Sequence, residues 1–153
     1  HLPLDLHFPL GNNYQIAESL KLKDIKPFGR YHGYEIGFKG TSHMSFEELK
    51  EKCKSLSKTT QFFISKPDKL TKVGIVSGKG GYDIIQQFIE SDLDLLITGE
   101  IEHSIYNMIL DHKINVITLG HYESEKYGIM ALGKHINHQF NIKTEFIEEP
   151  TGF

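Results

Sequence analysis

The chain has 153 residues, enough for one compact domain or two interlocked small ones, and its 39% hydrophobic and 24% charged content excludes collagen-like, mucin-like and wholly disordered classes. No apolar run reaches the roughly 18 residues of a membrane helix, and 17 basic against 20 acidic residues, a net charge of −3, argue against nucleic-acid binding through a basic face. The single cysteine, Cys53, forbids an intrachain disulfide and Cys-rich zinc modules, so a reducing, cytoplasmic setting is expected.

Residues 1–10, broken by Pro3 and Pro9, are expected as a strand end running into a loop. An Asn N-cap after Gly11 then opens a helix with Ile16, Ala17 and Leu20 on one face, ending near Leu22. Residues 31–38 alternate like a strand but carry glycines, which suits an edge or bulged strand. Ser45, followed three residues on by Glu48, forms a capping box for a helix to Leu56, and its stripe of Phe46, Leu49, Cys53 and Leu56 puts the thiol in the core. A short strand follows at 61–64. From there the pattern becomes regular: strand 73–76, a glycine turn, helix 82–90, strand 93–97, helix 101–110, strand 116–119, helix 124–140 and a last strand at 144–147. Apolar strands alternating with helices predict an α/β fold, a mainly parallel sheet flanked by helices on both faces. Ligands of such sheets gather at the carboxyl ends of the strands, here just after Val76, Ile97 and Leu119.

Candidate chemistry lies at those ends. Nine histidines are an unusual number, and histidine is the commonest metal ligand. His121 follows a strand, and Glu125 lies one helical turn on, so the two can converge on an ion or merely cap and complement the helix. His1 and Asp5 repeat that spacing. On a straight strand they would be about 13 Å apart, too far for one ion with bonds of about 2 Å, so either Pro3 bends the path or the two serve two ions. His7 is read as a surface residue. Glu100 and His103, after the next strand, are candidates for acid and base work or for orienting a ligating imidazole. Gly78, Lys79, Gly80 and Gly81 match no nucleotide-binding signature. Their turn could bind an anion through backbone amides and the Lys79 charge, or could simply need positive φ.

The strings HLPLDLHFPLGNN, SGKGG, DLLITGE and LGHYESEKYGIMAL, in this order across nearly the whole chain, resemble the Nif-three-like dinuclear metal-centre family, also called GTP cyclohydrolase I type 2 homologues. The resemblance implies α/β lobes, a two-metal site in each subunit and a toroidal hexamer. It places the metal ligands on His1, Asp5, His121 and Glu125, with Zn, Fe, Mn, Co or Ni as candidate divalent ions. The family carries adjacent histidines upstream of the first motif, and this chain has no such pair. Residues 1–153 are therefore expected to be the C-terminal portion of such a protein, with no room between the first two motifs for an inserted domain. The start at His1 instead of Met fits the same expectation.

The implied reaction is hydrolysis of a small molecule, GTP. A hydroxide generated at the metals attacks C8 and opens the purine imidazole ring with release of formate, while Glu100 or His103 moves protons and the 78–81 turn receives triphosphate. Hydrolysis of phosphoesters or amides at the same centre, and a non-catalytic metal-binding hexameric scaffold, are the other readings.

Overall fold

The computed structural model describes residues 2–68 and 70–151. In chain order the elements are α1 (Leu2–Leu6), α2 (Asn12–Ser19), β1 (Lys23–Tyr31), β2 (Tyr34–Thr41), α3 (Phe46–Leu56), β3 (Gln61–Phe63), β4 (Lys72–Gly80), α4 (Tyr82–Glu90), β5 (Leu95–Ile101), α5 (His103–His112), β6 (Val116–Thr118) and α6 (His121–Phe140). The strands form one sheet in the order β1-β2-β4-β5-β6-β3. Its centre, β4-β5-β6, is parallel, and β2, β1 and β3 extend it through antiparallel pairings. Four strands, β1, β4, β5 and β6, run the same way. No helix among the described residues is long and apolar enough to cross a membrane.

The period-2 alternation of the central strands feeds two cores. Val73, Ile75, Leu95, Ile97 and Ile117 pack against α2 and α3, with Tyr127 of α6 joining at the margin. The intervening Val76, Leu96 and Val116 pack against Ile84, Ile85 and Phe88 of α4 and Ile105 and Ile109 of α5. Helices thus cover both faces, and each fully buried aliphatic side chain contributes roughly 1.5–3 kcal/mol.

The capping box at Ser45 forms as the sequence indicates: its hydroxyl accepts from the Glu48 amide, and the Glu48 carboxylate accepts from the Ser45 amide. The stripe it launches buries Cys53 completely. Burial also pushes the Cys53 thiol up to about 12. Since the thiolate is the reactive form, native protein should resist a disulfide reagent at mildly alkaline pH and react fully once unfolded in urea. Rapid labelling of the native chain would contradict a core role.

The fold departs from the sequence expectation in four places. Residues 2–6 are a helical turn; Pro3 sits where a helix start needs no amide donor, so it does not break the turn. The cap of α2 is Gly11, with no side-chain bond to the helix end, because both asparagines are engaged elsewhere. Residues 23–41 form a hairpin of two strands, turning at His32 and Gly33, both with positive φ (47° and 88°), as a two-residue hairpin turn requires. Finally, 144–147 is not a strand. This tail is held against α6, tied by the Thr144 hydroxyl to Gly133 O (3.0 Å) and by Lys126 to Glu148 (2.7 Å), and pairs with no strand of the sheet.

Candidate functional site

Three glycines draw the ends of β4, β5 and β6 together. Gly78 has φ +68° and lies in an irregularity of the β4–β5 ladder between Val76 and Lys79. Gly99 packs directly on the Gly78 backbone and on the Ser124 hydroxyl, with no room for a Cβ. Gly120, φ +96°, donates its amide to Gly99 O at 2.7 Å and turns the chain into α6. Ser124 clamps the junction. Its fully buried hydroxyl accepts from the Gly78 amide (2.8 Å) and donates to His121 O (2.9 Å).

This junction fixes two side chains on the first turn of α6. His121 Nε2 lies 3.4 Å from Glu125 Oε1, and His121 Nδ1 lies 3.0 Å from Glu100 Oε1. Glu125 occupies the space that a side chain at Gly78 would fill. Burial raises the Glu125 carboxyl above its ordinary value; Asp5 and Glu100 push the same way, and His121 opposes them. A carboxylate that is partly desolvated and crowded by two others favours a cation beside it.

Asp5 reaches the same place from α1 and is only 5% exposed. Its Oδ1 accepts from Asn12 Nδ2 (2.7 Å) and from the Ser77 hydroxyl (3.2 Å). Asn12 in turn accepts the Gly128 amide at 2.6 Å, binding α2 to α6. Asn13, fully buried, donates to Asp5 O (3.2 Å) and Ile36 O (2.7 Å) and accepts from the Ser77 amide (2.5 Å). Asn12, Asn13, Ser77 and Ser124 were not singled out in the sequence as site residues, yet they hold it in place. The two adjacent asparagines that close the first motif were the available signal.

Asp5, Ser77, His121 and Glu125 line one cavity of about 340 Å³. The opening segment and the segment after Gly120 therefore meet, as a shared site demands. His1, the fourth ligand candidate, lies outside the described residues. Helical geometry over 2–6 removes the extended-strand path that would have held Asp5 away. Glu100 stands behind His121 as the partner of its ring nitrogen. His103 is exposed at the start of α5 and is not part of the cavity wall.

The 78–81 segment differs from the open anion loop considered above. Gly78 does need positive φ, but the amides of Ser77, Gly78 and Gly81 are engaged by Asn13, Ser124 and Lys79 O. Gly80 continues β4 beside Ile101, Gly81 caps α4, and the Lys79 ammonium is paired with Glu102. A phosphate chain would have to displace that ion pair.

Two donors bound to one tetrahedral ion at about 2.0–2.1 Å stand ~3.3 Å apart, which matches the His121–Glu125 separation of 3.4 Å. Imidazole and carboxylate also suit the borderline divalent ions. Among the described residues no three His, Cys, Asp or Glu side chains form a complete metal-holding group. The spacing and donor chemistry of the pair fit an ion, and Asp5 lines the same cavity.

A family model described as Duf34/NIF3 (NGG1p interacting factor 3) matches residues 1–152. The chain is 38% identical to proteins of Pyrococcus abyssi and Pyrococcus horikoshii, each named GTP cyclohydrolase 1 type 2 homolog, with 99% of this chain and 62% of each relative covered. It superimposes on the crystal structure of TTHA1606 from Thermus thermophilus with a TM-score of 0.86 at 29% identity, covering all of this chain and 60% of that one. The chain thus spans about three-fifths of the length of the relatives it matches.

Proposed function

We propose, since the chain belongs to the Duf34/NIF3 family, that it forms the larger part of a metal-dependent hydrolase whose centre is the Asp5–His121–Glu125 cavity. The relatives' name, GTP cyclohydrolase 1 type 2 homolog, supports GTP as the substrate, and the reaction we propose on it is opening of the imidazole ring with loss of formate. The observation that carries this reading is the His121–Glu125 pair at ligand spacing with Glu100 behind it.

Asp5, His121 and Glu125 would hold the ions, of which the family resemblance implies two, with His1 as a further ligand. Divalent ions there supply Lewis acidity and lower the pKa of a coordinated water. The chain's own residues do the rest. Glu100 accepts the Nδ1 proton of His121, which sets the tautomer that aims the Nε2 lone pair at Glu125 and the cavity. Asn12 and Ser77 hold one Asp5 oxygen by hydrogen bonds, fixing the carboxylate before any ligand arrives. Hydrolysis at C8 needs protons delivered to two ring nitrogens as their bonds to carbon break, and Glu100, paired with the ring of His121, would relay them. A hexameric assembly belongs to the same proposal.

Glu125→Ala tests the reading. Metal content by elemental analysis should fall and formate release from GTP should drop at least ~100-fold, with the far-ultraviolet spectrum unchanged. Unchanged turnover would remove this cavity from catalysis. Release of phosphate or an amine without formate, in a parallel screen of phosphodiesters and cyclic amides, would reassign the substrate class.

A further inference from the structure

Residues 142–149 have the geometry of a strand and no neighbour. The Thr144 hydroxyl reaches Gly133 O, and five residues on the Glu149 amide donates to the Tyr122 hydroxyl (2.9 Å), eleven residues back along α6. At 1.5 Å per helical residue the tail covers about 16.5 Å in five steps, about 3.3 Å each, the rise of extended chain. Thr144, Phe146 and Glu148, alternate residues as a strand requires, all meet α6 or the cavity of about 350 Å³ beside it. None of residues 142–148 makes a backbone–backbone hydrogen bond among the described residues. Amides alternate in direction along a strand, so with the Glu149 amide turned to Tyr122 those of Thr144 and Phe146 point to the free edge. Such an edge is a template for a further strand.

The surroundings are apolar. Ile129, Met130, Leu132 and Ile136 of α6 wall the cavity with Phe146, and α6 and the tail carry five of the twelve large hydrophobic side chains exposed among the described residues. A patch of that kind marks an interaction surface. Charge argues against self-pairing: residues 142–149 hold Lys143 against Glu145, Glu148 and Glu149, and a second tail would set like charges together. The relatives, by contrast, carry about two-fifths of their length outside the matched region, as polypeptide joined to the same chain and so present at high effective concentration. We propose that this face seats a β-strand of that polypeptide, apolar towards α6 and neutral or basic outwards, which pairs with the main chain of 144–147 and fills the cavity beside Phe146. No residue of the Asp5–His121–Glu125 cavity takes part, so the docking and the reaction fail separately.

Hydrogen exchange read by mass spectrometry tests this on two intact proteins, the 153-residue chain and the full-length Pyrococcus abyssi relative. Peptides covering 142–149 should exchange here at the rate of unpaired chain, and the aligned peptides of the relative at least ~10-fold more slowly. The relative's unmatched portion, added in trans, should slow 142–149 in this chain and leave the 23–41 hairpin unchanged. Thr144→Pro removes an amide of the free edge and should abolish that slowing, whereas Thr144→Val loses only the tie to Gly133 and should keep it. Ile129→Glu puts a charge in the cavity wall and should weaken binding ~10-fold or more. Metal content of all three variants should match the parent. If the separate portion does not bind, the intact relative decides: proline at its position aligned with Thr144 should return its tail to the fast rate. Equal exchange in the two parent proteins, or slow exchange in the relative that survives that proline, would overturn the proposal. So would slowing in this chain alone that grows with its own concentration, which would give the face to a second copy.

Discussion

Gly99→Ala is expected to destabilise the protein by about 3 kcal/mol or more, and Gly81→Ala to change stability by less than about 1 kcal/mol. The two glycines sit near each other at the same strand ends, but their surroundings are opposite. A Cβ at Gly99 would fall on Gly78 O and Ser124 Oγ, with Gly78 N at 2.9 Å, whereas one at Gly81 meets nothing within 4 Å. None of the atoms around Gly99 is the loose end of a flexible side chain. Two are main chain, and the third is a buried hydroxyl bonded on both sides. Relief requires β4 and β5 to separate where Gly120 also bonds to Gly99 O. Gly81, by contrast, has φ −72°, which alanine adopts without strain. Urea unfolding of both variants checks the contrast. Equal midpoints would mean that the strand ends are loosely packed. Separation of β4 from β5 would also carry Glu100 away from His121, so any folded Gly99→Ala protein should bind metal less well than Gly81→Ala.

The parts that sequence made legible are those governed by local rules. Helix 82–90 is predicted residue for residue, because a glycine cap precedes it and its apolar side chains recur on one face. The capping box of α3 is likewise a three-residue signal that reports its own geometry. The carboxyl ends of β4, β5 and β6, and His121 with Glu125 among them, follow from the strand and helix alternation. What was hidden depends on partners distant in the chain. Asn12 and Asn13 look like helix caps because asparagine before an apolar stripe is the usual cap. Their real partners, Gly128 and Ser77, lie 116 and 64 residues away. The strand β1 carries Pro27 and Gly29 and buries only Phe28 and Gly29, so its alternation is too short to register. Residues 144–147 have strand-like composition, but a strand needs a neighbour to bond with, and composition does not say whether one is there. Lys79 reads as a spare cation beside glycines until the fold brings Glu102 against it.

Asn13→Ala and Asn13→Asp should both weaken the fold, and only the second should do so in a pH-dependent way. Asn13 is wholly buried, and its amide meets three partners: Asp5 O, Ile36 O and the Ser77 amide. Alanine removes all three and leaves the buried Ser77 N–H without its acceptor. At about 1–3 kcal/mol for an unsatisfied buried group, plus lost packing, the cost is about 3 kcal/mol. Aspartate keeps an acceptor for Ser77 but turns an acceptor towards two carbonyl oxygens. Only its protonated form can donate to one of them, and burial disfavours the charge as well, so its folded-state pKa must lie above the unfolded value of about 3.9. The native state then binds the proton more tightly than the unfolded chain, and stability falls as pH rises between those two values. Relative to the parent protein at each pH, Asn13→Asp should therefore lose more stability at about pH 8 than at about pH 5, while the Asn13→Ala deficit should be the same at both. Urea titrations of the three proteins at the two pH values read this directly. The site should register the change too: with Ser77 and the Asp5 backbone released, metal affinity should fall in both variants. Retention of full stability and metal affinity in Asn13→Asp at the higher pH would show that the asparagine is not what holds Asp5 in place.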